Sequence, residues 1–177
     1  MKNRKNIIFI GGIHGVGKTA LCKHICSQLK LEYLSASQVL NWSSINNDQK
    51  NKNVQDIDFT QNLLIQGMQK LVNKDCTYVL DGHLCLFDKD KNVTRVPLST
   101  FERINPMAIC VITSNPAEIK KRLYVRDGLN YDIELLERMQ EEEISYGRQL
   151  SSVLKIPFYI SVTDNSFLIT ELQALIK

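Results

Sequence analysis

Residues Gly12-Ile13-His14-Gly15-Val16-Gly17-Lys18-Thr19 fit the pattern G-x-x-x-x-G-K-[ST] at every position. An apolar run, Ile7-Ile8-Phe9-Ile10, precedes them, and apolar residues at Leu21, Ile25 and Leu29 follow at helical spacing. A strand, a glycine-rich loop and a helix in that order make a phosphate trap. The glycines let the backbone curl so that successive N–H groups point inward. The helix adds the positive end of its dipole. Lys18 is expected to reach the outer phosphates of a nucleotide, and the Thr19 hydroxyl to ligate Mg²⁺. The binding set is therefore Gly12, His14, Gly15, Val16, Gly17, Lys18, Thr19 and Ala20, with His14 filling space near the phosphates.

Other residues could share that chemistry. Asp81 closes the apolar run Thr77-Tyr78-Val79-Leu80, at the carboxyl end of a buried strand, where open α/β sheets bind ligands. It is expected to hold the metal with Thr19 or to orient a substrate group. His83 follows directly and is a candidate for substrate contact. Arg122 and Arg126 stand four apart, next to Lys121, and share a helix face. Guanidinium groups there would stabilise the charge spread over a transferring phosphoryl group. Arg95 and Arg103 are further candidates for a substrate phosphate. Glu143 interrupts an apolar stripe, and a carboxylate so placed needs a partner; Arg122 or Arg126 would serve.

These residues need a frame to position them. Buried runs at 7–10, 31–34, 77–80, 108–112 and 158–162 read as strands, being continuous rather than alternating. Helical periods fall after the loop, from Ser35 or Ser37 to about Trp42, over Phe59–Val72, from Asn115, over Asp132–Leu154 and over Phe167–Ile176. Asn115-Pro116-Ala117-Glu118 is a helix start, with a capping Asn, a Pro at the first position and a Glu two residues later. The stripe of the long helix is Leu136, Met139, Tyr146, Leu150 and Val153. The Asn-rich stretch 43–56 reads as a mobile loop or frayed helix end. Leu84–Phe87 and Val93–Val96 flank a polar tip and suggest a hairpin. Alternating β and α with buried strands predicts an α/β sandwich around a parallel sheet.

Composition narrows the class. A chain of 177 residues suits one domain, residues 1–177. A net charge of +3, with scattered basic residues, gives no case for nucleic acid. No apolar run approaches the roughly 20 residues of a membrane span, and cleavage of a leader would destroy the loop. The five cysteines form no C-x-x-C pair, and Cys22 and Cys26 read as small buried hydrophobes. Free thiols without a secretion signal point to the cytoplasm.

In order and spacing the chain resembles the nucleoside monophosphate kinases, and among them the archaeal-type adenylate kinases. The resemblance rests on the loop 12–19, on Val79-Leu80-Asp81-Gly82-His83, on Arg103-Ile104-Asn105-Pro106 and on Arg122-Leu123…Arg126-Asp127. It implies the P-loop NTPase fold, with a five-stranded parallel sheet of order 2-3-1-4-5. It implies a substrate-binding helical region at 35–73, including Ser37 and Gln38, and a short arginine-bearing lid at 122–132. It implies ATP and Mg²⁺, with Lys18, Arg122 and Arg126 catalytic. The acceptor, a nucleoside monophosphate, would lie between Ser37-Gln38, Asp81-His83 and the hairpin bearing Arg95. Asn41 and His83 stand where many adenylate kinases have arginine, and the lid carries no further arginine. A kinase of a neutral small molecule, a nucleoside or a sugar acid, needs fewer arginines and is the second reading. A nucleotide-dependent switch acting on a protein partner is the third. Lys18 is expected to face solvent when no nucleotide is bound.

Overall fold

A computed structural model describes residues 6–40, 57–87, 92–162 and 165–177. The stretch 43–56, the helix end near Trp42 and most of the hairpin tip lie outside the described residues. Strand β1 (Ile7–Gly11) runs into the loop, followed by helix α1 (Lys18–Leu29), β2 (Glu32–Ser35) and the one-turn α2 (Ala36–Val39). Helix α3 (Ile57–Leu71) leads to β3 (Tyr78–Asp81), then to the hairpin strands β4 (Cys85–Phe87) and β5 (Val93–Arg95). Helix α4 (Leu98–Ile104), β6 (Ala108–Ile112), α5 (Pro116–Asp127), α6 (Ile133–Leu154), β7 (Phe158–Ser161) and α7 (Ser166–Ile176) complete the order.

The main sheet has five strands in the order β2-β3-β1-β6-β7, and β4 pairs with β5 as a separate two-stranded sheet. Counting the parallel strands alone, this is the expected 2-3-1-4-5. β1 is central: Ile7 pairs in register with Tyr78 and Ile8 with Ala108. Every residue of β1 and β6 is buried, as strands covered on both faces must be. Alternate side chains enter two cores. Ile7, Phe9, Leu80 and Val111 join one with α3, α4 and the later half of α6; Ile8, Ile10, Val79 and Cys110 join the other with α1, α5 and α7. Cys22 and Cys26 are buried in the second core, as small hydrophobes.

Helix α4 has no counterpart among the expected helices. Its signal is short: Pro97 before it, Phe101 and Ile104 three apart, and Asn105 in the left-handed conformation after it, φ 51°. Phe101 has no exposed surface and meets Phe9 edge-on at 5.2 Å and Tyr146 at 6.1 Å. Each such pair contributes about 0.5–1.5 kcal/mol beyond burial. Three helix-to-strand turns close on left-handed residues other than glycine: Lys30, Asn105 and Lys155. The stripe on α6 holds except at Val153, which is exposed.

Candidate phosphate and acceptor site

The loop leaves β1 at Gly11 and enters α1 at Lys18 with Gly17, at φ 102°, as the cap residue. Gly12 requires its glycine twice over: its φ is 136°, and a Cβ there would lie 2.6 Å from the Ile112 carbonyl oxygen. Gly15, Gly17, His14, Thr19 and Ala20 line one side of a cavity of about 360 Å³, whereas Gly12 and Val16 stay behind it in the backbone and core.

Lys18 does not face solvent. It is 7% exposed, and its ammonium donates to the Gly12 carbonyl at 2.6 Å and the Ile13 carbonyl at 3.2 Å. Its Nζ also lies 3.2 Å from His83 Nε2. The loop curls back over the start of its own helix, so its carbonyls take the charge. Burial lowers the Lys18 pKa, and the charges of Asp81 and Glu143 oppose that shift. His83 stacks on His14 with ring centroids 4.1 Å apart.

Asp81 stands at the end of β3, buried. Its Oδ2 accepts from the Thr19 hydroxyl at 2.8 Å and from the Tyr33 hydroxyl at 3.1 Å. Thr19 and Asp81 thus offer adjacent oxygen donors of the kind Mg²⁺ takes, with remaining positions for water and phosphate oxygens. Tyr33 stands outside the expected set, since nothing local marks a strand tyrosine as a partner of Asp81. Burial first, and then Asp81, push its phenol up to about 12.

The cavity continues away from the phosphates between β2, α2, α3, the hairpin and α4. Leu40, Leu64, Leu86, Val96, Phe101 and Ile104 supply most of its wall. Ser35, Ser37, Thr60, Gln61 and Thr100 supply neutral polar groups. Of these only Ser37 belonged to the expected set; its hydroxyl meets that of Ser35 at 2.8 Å. Gln38 is exposed and does not line the cavity, because α2 is one turn long and points successive side chains apart. Thr60 and Gln61 come from α3 and Thr100 from α4, and no local pattern marks them.

The arginines separate. Arg126 reaches the cavity, with its guanidinium paired to Asp127 at 2.6 and 2.7 Å. Arg122 lies one turn earlier and goes to the other side of the loop. There it donates long bonds to the Gly15 and Val16 carbonyls, at 3.4 and 3.3 Å. It lines a second recess with Ala20, His24, Ser114, Val162 and Asn165. Arg95 is not at the acceptor cavity. It pairs with Glu142 at 2.5 Å and Gln149 at 2.7 Å, and covers the Tyr146 ring. Its place at the end of β5 turns it onto α6 instead. Arg103 donates to Asn62 on the surface.

Glu143 also has a partner other than the expected one. It is fully buried, and its carboxylate accepts from the Gly12, Leu84 and Cys85 N–H groups at 2.9, 2.9 and 3.0 Å, not from Arg122 or Arg126. The helix carries it beneath the loop, out of guanidinium reach. Burial pushes its carboxyl up to about 7, against the pull of these amides and of Lys18.

Comparisons with known proteins agree with this geometry. The description "AAA domain" belongs to a family profile that matches residues 11–140. Among solved structures, the chain is similar to a gluconokinase from Sinorhizobium meliloti 1021, at 12% identity and TM-score 0.60, over 97% of this chain and 93% of that one. It is similar to a sugar kinase from Janibacter sp. HTCC2649, at 14% identity and TM-score 0.60, over 98% and 95% of the two chains. At such identities the likeness is one of fold. A search of curated proteins returned no match. The P-loop kinase fold is thus borne out, whereas the narrower likeness to adenylate kinases is not singled out. The matched span contains the whole loop, Asp81, Arg126 and nearly all of the cavity wall, and by that match the chain belongs to the AAA domain family.

Proposed function

We propose that the chain is an ATP-dependent kinase of a small, uncharged hydroxyl compound. The observation that carries this is the imbalance of the cavity. At one end stand Lys18, Thr19 and Asp81; at the other, among the described residues, the wall is apolar with neutral hydroxyl and amide groups. Arg126 is the sole guanidinium among the described lining residues, and Asp127 already holds it. A monophosphate acceptor needs fixed positive charge at its own phosphate. The two neighbouring structures, a gluconokinase and a sugar kinase, support a small-molecule acceptor as well.

The residues divide the work as follows. Loop amides and the start of α1 hold the nucleotide phosphates. Lys18 exchanges its carbonyl partners for phosphate oxygens. Thr19 and Asp81 would hold Mg²⁺, which neutralises phosphate charge when bound. Arg126 stabilises the equatorial oxygens during transfer. Ser37, in the helical region 35–73 after β2, and Asp81 and His83, at the carboxyl end of β3, face the acceptor. Positioning and charge neutralisation supply the rate, with no covalent enzyme intermediate.

The test is an acceptor screen with coupled ADP detection. Nucleosides and other neutral hydroxyl compounds are expected to raise ADP release above the hydrolysis background, and sugar acids or monophosphates to do so weakly. Strongest stimulation by a monophosphate returns the reading to a nucleoside monophosphate kinase. Tight ATP binding with slow hydrolysis under every acceptor makes the chain a switch with a protein partner.

A further inference from the structure

Glu143 is fully buried at mid-helix, and its two oxygens serve two different parts of the site. Oε2 takes the N–H of Gly12, the first residue of the phosphate loop. Oε1 takes the N–H groups of Leu84 and Cys85, directly after His83 of the acceptor side. These amides lie at or past strand ends: β1 stops at Gly11, β3 at Asp81, and β4 starts at Cys85. The main sheet gives them no strand partner, and an unpaired buried N–H costs about 1–3 kcal/mol. A side chain that accepts three N–H bonds on two oxygens is needed, which a carboxyl group can do and the single oxygen of an amide cannot.

We propose that Glu143 is a positioning residue that locks the phosphate loop to the acceptor-side turn, so that donor and acceptor keep one fixed spacing. Gly12 is then held from both directions, its N–H by Glu143 and its carbonyl by Lys18. When Lys18 turns to a nucleotide, the Glu143 bond is the one that stays. Gly11 makes room for this: a Cβ there would lie 2.9 Å from Glu143 Oε2 and 3.1 Å from Leu84 Cγ. The invariable demand is for space beside the carboxylate, since Gly11 is not among the residues with positive φ.

The experiment compares amide hydrogen exchange in the wild type and in Glu143→Gln, with Mg·ATP affinity measured on both. Glutamine keeps one acceptor oxygen but turns an NH₂ toward a backbone N–H. Exchange is expected to speed up by about tenfold or more at Gly12 and at Leu84–Cys85 together, while Ile8–Ile10 and Ala108–Ile112 stay as in the wild type. ATP affinity is expected to fall by about tenfold, or 1.4 kcal/mol. Faster exchange at only one of the two stretches overturns the proposal, as does a uniform rise across the sheet or an unchanged affinity. Gly11→Ala perturbs the same contact from the strand side and should give the same paired signature; it decides the matter if Glu143→Gln does not fold. The exchange measurement needs neither nucleotide nor acceptor. A wild type that binds no ATP would sink the proposed function and leave the lock to be judged on exchange alone.

Discussion

The two ends of the cavity are built on different plans. At the phosphate end the charges of Lys18 and Glu143 are tied to backbone: Lys18 to loop carbonyls, Glu143 to loop and turn amides. At the acceptor end the wall comes from side chains on α2, α3, α4 and the hairpin, mostly apolar, with neutral groups at Thr60, Gln61 and Thr100. The first plan fixes charge to within a hydrogen bond. The second fixes shape, and lets the acceptor change by substitution without disturbing the loop. A phosphate site can therefore be common to a family while the acceptor differs among its members.

The contrast is tested first at its strongest point. Lys18→Ala is expected to lower turnover by on the order of 10³-fold or more, the scale of a charge that neutralises a transferring phosphoryl group. Circular dichroism should show the fold retained. Wild-type turnover in this variant would remove the phosphate end from the reading.

Arg126→Ala and Arg122→Ala then separate two residues one helical turn apart. Arg126 lines the cavity, so its loss should reduce kcat by about 10²–10³-fold. Arg122 touches the outer rim of the loop and the Ser114 hydroxyl, away from the cavity, so its loss should raise KM for ATP with a smaller change in kcat. Equal effects on both constants in both variants would mean that α5 acts as one unit and that the separation has no functional meaning.

Glu143, which joins the phosphate loop to the turn after His83, gives that junction a pH signature. Its ordinary pKa is 4.5 and burial raises it to about 7 in the folded chain. The unfolded chain therefore releases that proton first. The stabilising contribution is complete below about 4.5 and is lost as pH rises through about 7, by roughly 3 kcal/mol. Denaturant titrations from pH 4 to 8 should show this decline in the wild type, with Lys18 the nearest opposing charge, and a flatter profile in Glu143→Gln. Identical profiles would mean that the carboxyl does not change charge in that window.

The smallest effect is expected outside the cavity. Arg95→Ala should leave KM for any working acceptor unchanged and lower stability by only about 0.2–1 kcal/mol, the scale of an exposed ion pair. A several-fold rise in acceptor KM would bring the hairpin back into the site.

The difference between the two ends also decides what can be read before folding. The loop is a contiguous motif whose function lies in its backbone, so Gly12 to Thr19 are legible as a string. Asp81 is legible because a buried strand ends there. Thr60, Gln61 and Thr100 are not, since each belongs to an ordinary helix and meets the cavity only after the sheet has brought α3 and α4 together. Arg95 and Arg122 mislead for the same reason: type and spacing show that a guanidinium is present, and only packing shows whether Glu142 or a loop carbonyl has taken it. Glu143 stands between these cases. Its break in an apolar stripe signals a buried partner, but backbone amides carry no sequence signature, so a guanidinium is the natural and mistaken choice.

The register of β1 has a consequence for how the chain matures. The loop is synthesised before the strands that flank it, and β1 gains its neighbours only when Tyr78–Asp81 and Ala108–Val111 have been made. The Gly12 amide waits longer still, for a residue 131 positions downstream. Such distant pairings are slow to form and leave strand edges exposed meanwhile. A nascent or truncated chain ending before α6 would display the whole phosphate motif without its rigidity. Nucleotide capture would thus report that α6 has docked, and ligand retention during synthesis would time that docking.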